Sequence, residues 1–532
     1  MVGSTPFLLS YSSSSLSFIQ IQDDDNEEQI SSINTVVEDC IGEQLNWKQI
    51  FQVLLVSFAW FFDGQQTFIT IFTDAQPPWH CDGGCESETN KNLPICNLPN
   101  DKWSWDQPVT TSIISEWGLQ CDGSIITGLP ASMFFVGSLI GGLLLATLAD
   151  SWLGRKKMLF FSCLLMSLSS FLASFSSNVW IYSFLKFLCG FGRVNIGTAA
   201  IVLASELVSR KWRSQVGIFG FFLFSLGFLT LPAMAYMNRG FSWRNLYLFT
   251  SIPAVVYSIL IRPLVCESPR WLIVRGKKEE AIEVLKTITS LPQTQSNLSS
   301  YFDVAISGIM PQKEESLNNV GLYSSLKILM QKKWSSRRLM VIIAMGLGIG
   351  LVYFGMPLGL ELLSFNIYLS VMFNALSEIP SAFLAFILID KFNRRSVILI
   401  LTTLSGISSV LSTIEVVAIF NRLQIVFELA SFVCACTAYD VLVIYGTELF
   451  PTCVRNSALS LVRQAGVLGG TLSPMLVALG RRNKFLCYGV FGLAIGCSGL
   501  FSVCLPETKD KAFCDTIDEE ESKQEVSEPF IK

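Results

Sequence analysis

Long apolar runs alternate with short polar connections along most of the chain. A helix that crosses a bilayer needs about 20 predominantly apolar residues. Runs of that length recur twelve times after a polar beginning. They lie near 50–73, 125–149, 158–176, 178–205, 215–237, 245–265, 339–360, 366–389, 396–419, 424–447, 457–480 and 485–505. The pattern predicts an all-α membrane protein with twelve transmembrane helices.

Polar segments divide these runs into two sets of six. Residues 1–45 contain "YSSSS" and "DDDNEE", a composition that predicts a disordered cytoplasmic tail. The N-terminal half is expected over 46–265, a cytoplasmic central segment over 266–337 and the C-terminal half over 338–505, followed by an acidic cytoplasmic tail over 506–532. Within the central segment, "GKKEEAIEVLKTI" (276–288) has the spacing of a short amphipathic helix.

Lysine and arginine in the short loops orient the helices, because such residues concentrate on the cytoplasmic side. Basic clusters at 155–157, 210–213 and 391–395 fall on one side, together with the N-terminus, and the short loops after the third and seventh runs have no basic residue. One cluster, at 481–484, falls on the opposite side. Three clusters outweigh one, so the N-terminus is predicted to be cytoplasmic.

Three short motifs recur in order at nearly one offset. "DSWLGRKK" begins at Asp150 and "DKFNRR" at Asp390, 240 positions later. A seven-residue step from glutamate to arginine occurs in "SELVSRKWRS" and again in "TELFPTCVRN". A glutamate within two residues of a proline follows each half, in "ESPRWL" and "LPETK". The repeat predicts two pseudo-symmetric six-helix halves.

The acids and bases of these motifs are predicted to gate the cytoplasmic face. Carboxylates beside basic loops can form ion pairs that break and re-form as two halves rock against each other, for example Asp150 with Arg155. The alternative is that the basic residues only anchor the chain to anionic headgroups of the membrane lipid. The repeated acid-plus-base arrangement favours gating. The predicted gating residues are Asp150, Arg155, Glu206, Arg213, Asp390, Arg394, Glu448 and Arg455.

Composition narrows the function classes. Hydrophobic residues make up 51% of the chain and charged residues 15%, whereas a soluble domain has about 25% charged residues. The net charge of −4 argues against nucleic-acid binding, which needs a concentrated basic face. His80 is the single histidine of the sequence, so histidine-dependent catalysis is not expected and the protein is predicted not to be an enzyme.

Several charges lie within the predicted spans, where they are costly and usually face a cavity or a partner. They are Asp63, Arg193, Glu378, Asp440 and Arg463, with Glu361 nearer an outer end. Asp63 is interpreted either as a proton or cation site or as a hydrogen-bonding anchor between helices. Asp440 either faces a cavity or forms a structural ion pair with Arg193 or Arg463, and both interpretations are kept.

Four cysteines lie in the predicted first outer loop, residues 74–124. Cys81, Cys85, Cys96 and Cys121 allow three pairings, and the sequence does not choose among them. In an oxidising compartment, disulfides are favoured over a zinc site built with His80. No metal is therefore predicted.

The motif set resembles the organic cation/carnitine transporter family of the major facilitator superfamily, in its plant branch. The resemblance is carried by "TSIISEWGLQC" (111–121), "ESPRWL" (267–272), "LPETK" (505–509), "EIPSAF" (378–383) and "AWFFDGQQTFITIFTDAQPPWHC" (59–81). It covers nearly the whole chain after residue 45. The cysteine-bearing outer loop is the specific part, because sugar porters share the loop motifs.

The resemblance implies the major facilitator fold and a set of substrate-binding residues. Glu378 matches an acid of the eighth span that shapes the cation site, Tyr353 matches a ligand-facing tyrosine, and Asp440 stands at a cavity-lining position. Val467 replaces the aspartate of cation-selective members, while Arg463 lies one turn earlier. A zwitterion fits this pattern, with a trimethylammonium near the acids and a carboxylate near Arg463 or Arg193. Arg193 can instead pair with an acid.

The predicted function is secondary active transport of carnitine or another organic cation by alternating access. Coupling to protons, coupling to sodium and uncoupled transport are all left open. No cofactor is expected, and the membrane is expected to be the vacuolar or the plasma membrane. A porter of sugar-like or other neutral solutes with the same fold is one alternative. A non-transporting membrane sensor is another.

Overall fold

The computed structural model describes residues 44–81, 95–99, 101–145, 153–288, 329–363, 365–414 and 421–509, with the single residues 41, 327 and 521. It is mostly helical in these ranges. We label its twelve long helices in chain order: α1 Trp47–Phe68, α2 Ser124–Leu145, α3 Arg155–Ala173, α4 Val179–Glu206, α5 Arg213–Met237, α6 Trp243–Leu264, α7 Lys333–Gly359, α8 Ile367–Lys391, α9 Arg394–Leu411, α10 Asn421–Leu449, α11 Thr452–Gly480 and α12 Lys484–Leu500.

Short polar residues mark where several of these helices begin. The Asn46 side chain caps α1, and Gln49 completes a capping box by accepting the Asn46 backbone N–H. The side chains of Asn178, Ser242 and Asn366 also accept a backbone N–H at the start of α4, α6 and α8, without a capping box. Each cap falls where the sequence changes from a polar connection to an apolar run, so local chemistry and hydrophobicity set the same boundary.

Ten helices within the described residues are long and apolar enough to cross a membrane. The two long helices outside that set are α1 and α11, and both are interrupted by polar side chains. Asp63, Gln65 and Gln66 lie in α1 and are buried, whereas Arg455 and Arg463 lie in α11. In a membrane protein such residues face the bundle interior. The polar residues lower the mean apolar character of α1 and α11, and we interpret them as facing the interior of the helix bundle.

Helix contacts repeat between α1–α6 and α7–α12. In the first half α1 packs on α5, α2 on α4, and α3 on α4 and α6. In the second half α7 packs on α11, α8 on α10, and α9 on α10 and α12. Adding six to each helix number of the first set gives the second. The predicted two pseudo-symmetric six-helix halves are confirmed, and the halves meet where α2 packs on α11 and α5 on α8.

Several helix boundaries differ from the apolar runs. In the structure α7 begins at Lys333, inside the predicted central segment. The first turn of this helix is polar, so it extends beyond the apolar run that begins near residue 339. There Arg338 donates a hydrogen bond to the Leu449 carbonyl at 3.2 Å. The α9 helix ends at Leu411, although the apolar run continues to 419.

The central segment contains the predicted amphipathic helix. Pro269–Val274 forms one short helix and Lys278–Ile288 a second. In the second helix Ala281, Leu285 and Ile288 are buried on one face, as an apolar stripe at helical spacing requires. The structure therefore agrees with the helix predicted at 276–288.

The outer loop folds around a small antiparallel hairpin. Strands β1 (Trp79–Cys81) and β2 (Trp103–Trp105) pair with Trp79 opposite Trp105. Cys96 forms a disulfide with Cys121, with their Cα atoms 5.4 Å apart. Cys81 is also disulfide-bonded, and Cys85 lies outside the described residues.

His80 has hydrogen-bonding partners of its own within this hairpin. Its Nδ1 contacts the Asp106 carboxylate, and the Ser104 hydroxyl lies 3.0 Å from its Nε2. Both ring nitrogens are therefore engaged across the two strands. Over the described ranges, no group of three or more His, Cys, Asp or Glu side chains is arranged to hold a metal ion.

Glycine allows α2 and α4 to approach closely. A Cβ added to Gly190 would lie 1.8 Å from the Phe134 carbonyl oxygen, far inside van der Waals contact. Because the two helices lie so close together here, the Ser138 hydroxyl of α2 donates a hydrogen bond to the Gly190 carbonyl of α4 at 3.0 Å. Small residues at membrane helix interfaces permit this kind of backbone contact.

Gly190→Ala is expected to destabilise the protein by about 1–3 kcal/mol, because the new methyl group overpacks the α2–α4 contact. The measurement is thermal unfolding in detergent, followed by size-exclusion chromatography. The matched control is Gly489→Ala in α12, where an added Cβ has no atom within 4 Å. Equal melting temperatures for the two variants would contradict the packing interpretation.

Candidate functional site

An ion pair joins α9 and α10 at the end of the bundle that we call the inner end, where the α8–α9 connection lies. Arg394 donates from Nε and Nη2 to the two carboxylate oxygens of Glu448, each at 3.1 Å. Glu507, after the last helix, accepts the backbone N–H of Arg394 at 3.0 Å. An acid at a helix N-terminus satisfies otherwise unpaired N–H groups, so Glu507 fixes the start of α9.

The first half repeats this arrangement with looser geometry. Arg155 Nε lies 3.8 Å from Glu206 Oε2, and Glu267 accepts the Lys156 backbone N–H at 3.0 Å. Burial raises the pKa of Glu267, although its backbone hydrogen bonds act in the opposite direction. Glu267 and Glu507 are therefore equivalent capping acids of the two halves.

Gly154 is required by this cap, whereas its counterpart Asn393 is not constrained in the same way. Gly154 has φ +80°, and an added Cβ would lie 2.6 Å from a carboxylate oxygen of Glu267. Asn393, which precedes α9, has φ −68°, a conformation open to any residue. The asparagine in the second motif is thus compatible with the same overall arrangement.

The remaining predicted gating residues are placed differently from one another. Asp150 lies outside the described residues. Asp390 is exposed near the end of α8, and it has no ion pair with another described residue. Arg213 begins α5, and Arg455 donates to the Phe450 carbonyl at 3.4 Å. In the structure the glutamates of the "SELV" and "TELF" motifs, rather than Asp390, provide the carboxylates of the inner ion pairs.

A second group of polar contacts joins the two halves at the opposite, outer end. Arg481 Nε lies 2.8 Å from Glu361 Oε1, and Arg481 Nη2 donates to the Asp74 carbonyl at 2.9 Å. The Gln76 backbone N–H donates to Glu361 Oε2 at 3.1 Å. These contacts engage one member of the basic cluster at 481–484, which was the exception in the charge distribution. They also hold the outer end of α1 against the second half.

Asp63 and Arg193 form an ion pair within the first half. Arg193 Nε lies 2.6 Å from Asp63 Oδ1, and Nη2 donates to Oδ2 at 3.1 Å. Asp63 is 2% exposed. The Arg193 guanidinium also lies over the Phe134 ring, 5.3 Å from its centroid. Of the two interpretations of Arg193, the structure therefore shows pairing with an acid, and that acid is Asp63 rather than Asp440.

Glu378 lies where the halves meet. It accepts a hydrogen bond from the Tyr353 hydroxyl at 2.7 Å and another from the Ser225 hydroxyl at 3.0 Å. Tyr353 belongs to α7 and Ser225 to α5, so one carboxylate connects three helices from both halves. The Glu378 charge is thus held by two hydroxyl groups and has no cationic partner in the described ranges.

Asp440 and Arg463 are the predicted site charges that the structure leaves without a partner. Both are half-buried, and neither forms a hydrogen bond or ion pair with another described residue. Their charges both act on the phenol of Tyr439, which lies beside Asp440 in α10. The Glu378 carboxylate also acts electrostatically on the Asp440 carboxylate. Of the two interpretations of Asp440, the ion pair with Arg193 or Arg463 does not form among the described residues, because Arg193 pairs with Asp63 instead.

Aromatic rings connect these charged groups. Tyr439 stacks on Tyr353 with ring centroids 5.1 Å apart and an interplanar angle of 10°. The Phe354 ring contacts the rings of Tyr353 and of Phe135 in the first half, with a centroid-to-centroid distance of 4.9 Å in each pair. The site therefore combines acidic groups with aromatic faces, the two features that hold a quaternary ammonium group.

Two buried charges were missed in the sequence analysis. Lys186 in α4 is 1% exposed, and its Nζ lies 4.6 Å from the centroid of the Phe134 ring. Glu428 in α10 is 0% exposed. Both fall inside apolar runs that the sequence analysis identified, so the rule that selected Asp63 and Asp440 would also have selected them.

The match to a family model and the similarity to curated proteins cover most of the chain. A model described as "Sugar (and other) transporter" matches residues 97–518. The chain is 54% identical to organic cation/carnitine transporter 3 of Arabidopsis thaliana, over 94% of this chain and 95% of the relative. It is 30% identical to organic cation/carnitine transporter 2 of Homo sapiens, over 79% of this chain and 73% of the relative.

A solved structure supports the fold. The chain resembles the inward-open xylose transporter XylE from E. coli with a TM-score of 0.60 and 18% identity, over 89% of this chain and 99% of that structure. At this identity the likeness concerns the fold alone. It agrees with the two six-helix halves observed here.

Proposed function

The chain belongs to the organic cation/carnitine transporters within the sugar (and other) transporter family, and we propose that it moves carnitine or a related small organic cation by alternating access. It is a multi-pass membrane transporter rather than an enzyme. We place it in the vacuolar or the plasma membrane.

The two unpaired charges beside Tyr439 carry the substrate proposal. A charge within a membrane bundle is costly unless it has a partner or reaches a polar cavity. Asp63 and Arg193 neutralise each other, whereas Asp440 and Arg463 have no partner among the described residues. A zwitterion supplies one partner to each of them. Carnitine has the required quaternary ammonium and carboxylate groups.

The aromatic pair determines how the cationic end is held. A quaternary ammonium group has no N–H donor, so it is bound by ring faces and a diffuse negative field. Tyr353 and Tyr439 provide the rings, while Asp440 and Glu378 provide the field. Glu378 also fixes Tyr353 through the 2.7 Å hydrogen bond, so we assign Glu378 a positioning role in addition to its charge.

The ion pairs at the two ends provide the alternating gates. At the inner end the pairs Arg155–Glu206 and Arg394–Glu448 each connect helices of one half. At the outer end Arg481 and Glu361 hold residues 74–76 of the other half. We propose that the outer contacts break when the site opens outward, and that rearrangement of the inner pairs accompanies inward opening.

Asp63 is the proposed site of proton coupling. Its carboxylate is buried against Arg193, and protonation of the acid would release the arginine. The freed guanidinium is then available to the carboxylate of a bound zwitterion. This assignment joins the two earlier interpretations of Arg193, because the arginine pairs with an acid in one state and meets substrate in the other.

Asp440→Asn is expected to lower uptake of labelled carnitine and tetraethylammonium into proteoliposomes by about tenfold or more, because a desolvated cation loses its counter-charge. The control is Glu283→Gln, which changes an exposed residue of the Lys278–Ile288 helix and is expected to leave transport unchanged.

Three results would contradict this assignment. Unchanged uptake of both compounds by Asp440→Asn would make Asp440 structural. Absence of uptake by the folded wild type in sealed vesicles would contradict the cation/carnitine proposal and favour a neutral-solute porter. Binding of carnitine without accumulation would instead indicate a sensor.

Asp63→Asn is expected to abolish the pH dependence of carnitine uptake while leaving exchange of internal for external carnitine intact, because the variant cannot lose a proton. The measurement is uptake from pH 5 to 8 beside exchange at a single pH. Asp63→Glu, which keeps a titratable acid, is the control. A pH profile in Asp63→Asn identical to that of the wild type would contradict the coupling role.

A further inference from the structure

A serine of the first half contacts the proposed cation site near the midpoint of two helices. Ser225 is the thirteenth of the 25 residues of α5, and Glu378 is the twelfth of the 25 residues of α8. The Ser225 hydroxyl donates to Glu378 Oε2 at 3.0 Å. This hydrogen bond therefore crosses between the halves near the middle of the bundle, whereas the contacts of Arg481 cross at the outer end.

The same hydroxyl has a second acceptor within reach. Ser225 Oγ lies 3.2 Å from the carbonyl oxygen of Phe221, four residues earlier in α5. A serine hydroxyl has one hydrogen, so it donates to one of these two oxygens at a time. Ser225 is 5% exposed, and a buried hydroxyl needs a partner. It therefore has two positions, one that joins the halves and one that remains within α5.

The charge on Glu378 decides between the two positions. A hydrogen bond to an ionised carboxylate is about twice as strong as one between neutral groups, so the bond to Glu378 is favoured while its charge is uncompensated. In that position the hydroxyl directs its positive end at the carboxylate. A cation beside Glu378 offsets the charge and repels this positive end. The hydroxyl can then turn to the Phe221 carbonyl, so that one hydrogen bond replaces another.

We propose that Ser225 is a positioning residue that couples cation binding at Glu378 to the motion of the two halves. A cation turns the hydroxyl toward Phe221 and so removes a bond between α5 and α8, which frees the loaded halves to rock. A ligand shifts an equilibrium only through its different affinities for the two states, and the position of this hydroxyl supplies that difference. The inference rests on the proposed function, because it requires a cation at Glu378.

The first test is equilibrium binding of labelled tetraethylammonium to the purified full-length protein in detergent. In Ser225→Ala no hydroxyl opposes the cation, so we expect the Kd to fall by about three- to tenfold, the effect of one hydrogen bond to a charged group. Ser225→Thr keeps a hydroxyl and is expected to keep the wild-type Kd. The matched control is Ser183→Ala, which removes a buried hydroxyl that donates to the Val179 carbonyl of its own helix at 2.7 Å.

Transport in proteoliposomes supplies a second readout. Net uptake of tetraethylammonium requires the unloaded protein to return, whereas exchange of internal for external tetraethylammonium does not. In Ser225→Ala the unloaded halves are no longer held at this point, so the ratio of exchange to net uptake is expected to fall severalfold. Ser225→Thr and Ser183→Ala are expected to keep the wild-type ratio. A residue that only supports the fold would lower both rates in proportion and leave the ratio unchanged.

Two results would overturn the inference: a Kd in folded Ser225→Ala that equals or exceeds that of the wild type, or an equal gain in affinity in Ser225→Thr. If Ser225→Ala does not fold, Ser225→Cys takes its place, because a thiol is a weaker donor. A wild-type Kd in that variant then overturns the inference. If the folded wild type binds neither tetraethylammonium nor carnitine, the proposed function fails together with the inference. If the wild type binds and only the serine variants disagree, the proposed function stands.

Discussion

The cost of an unpaired charge away from water organises the interior of this protein. Charges within the spans must find partners, since few other groups in a bilayer can solvate them. Asp63 and Arg193 satisfy this requirement together, and Glu378 does so through two hydroxyl groups. Against this background the partnerless Asp440 and Arg463 are informative. A charged side chain that has no protein partner inside the bundle costs free energy, and a ligand of opposite charge can offset that cost.

The same principle operates at the two ends of the bundle, where the pseudo-symmetry is clearest. Glu267 and Glu507 cap equivalent helices, and equivalent arginines pair with equivalent glutamates. The pairs are unequal, because Arg394 donates to Glu448 at 3.1 Å from both Nε and Nη2, whereas Arg155 Nε lies 3.8 Å from Glu206 Oε2. At the outer end, Arg481 and Glu361 bridge the halves. In alternating access, the two halves rock against each other around a central binding site, and contacts at the two ends must break and re-form.

Hydrophobic patterning and the repeated motifs were sufficient to predict the helices and their division into halves, because both follow from local chemistry. The partners of the charges were not predictable in this way. Nothing in the spacing shows that Arg193 meets Asp63, 130 positions away, or that Arg481 reaches the backbone at Asp74. Those contacts depend on helix rotation and packing. Lys186 and Glu428 are different, because both lie inside predicted apolar runs and their burial could be predicted from the sequence pattern alone.

If Asp440 and Arg463 bind opposite ends of a zwitterion, the Arg463→Gln variant will distinguish carnitine from tetraethylammonium. Carnitine has a carboxylate for Arg463, whereas tetraethylammonium has none. In proteoliposomes we expect carnitine uptake by this variant to fall by about tenfold or more, the effect of removing one partner of a buried charge pair, while tetraethylammonium uptake is retained. An unchanged ratio of the two uptake rates, whether both fall or neither does, would contradict the claim.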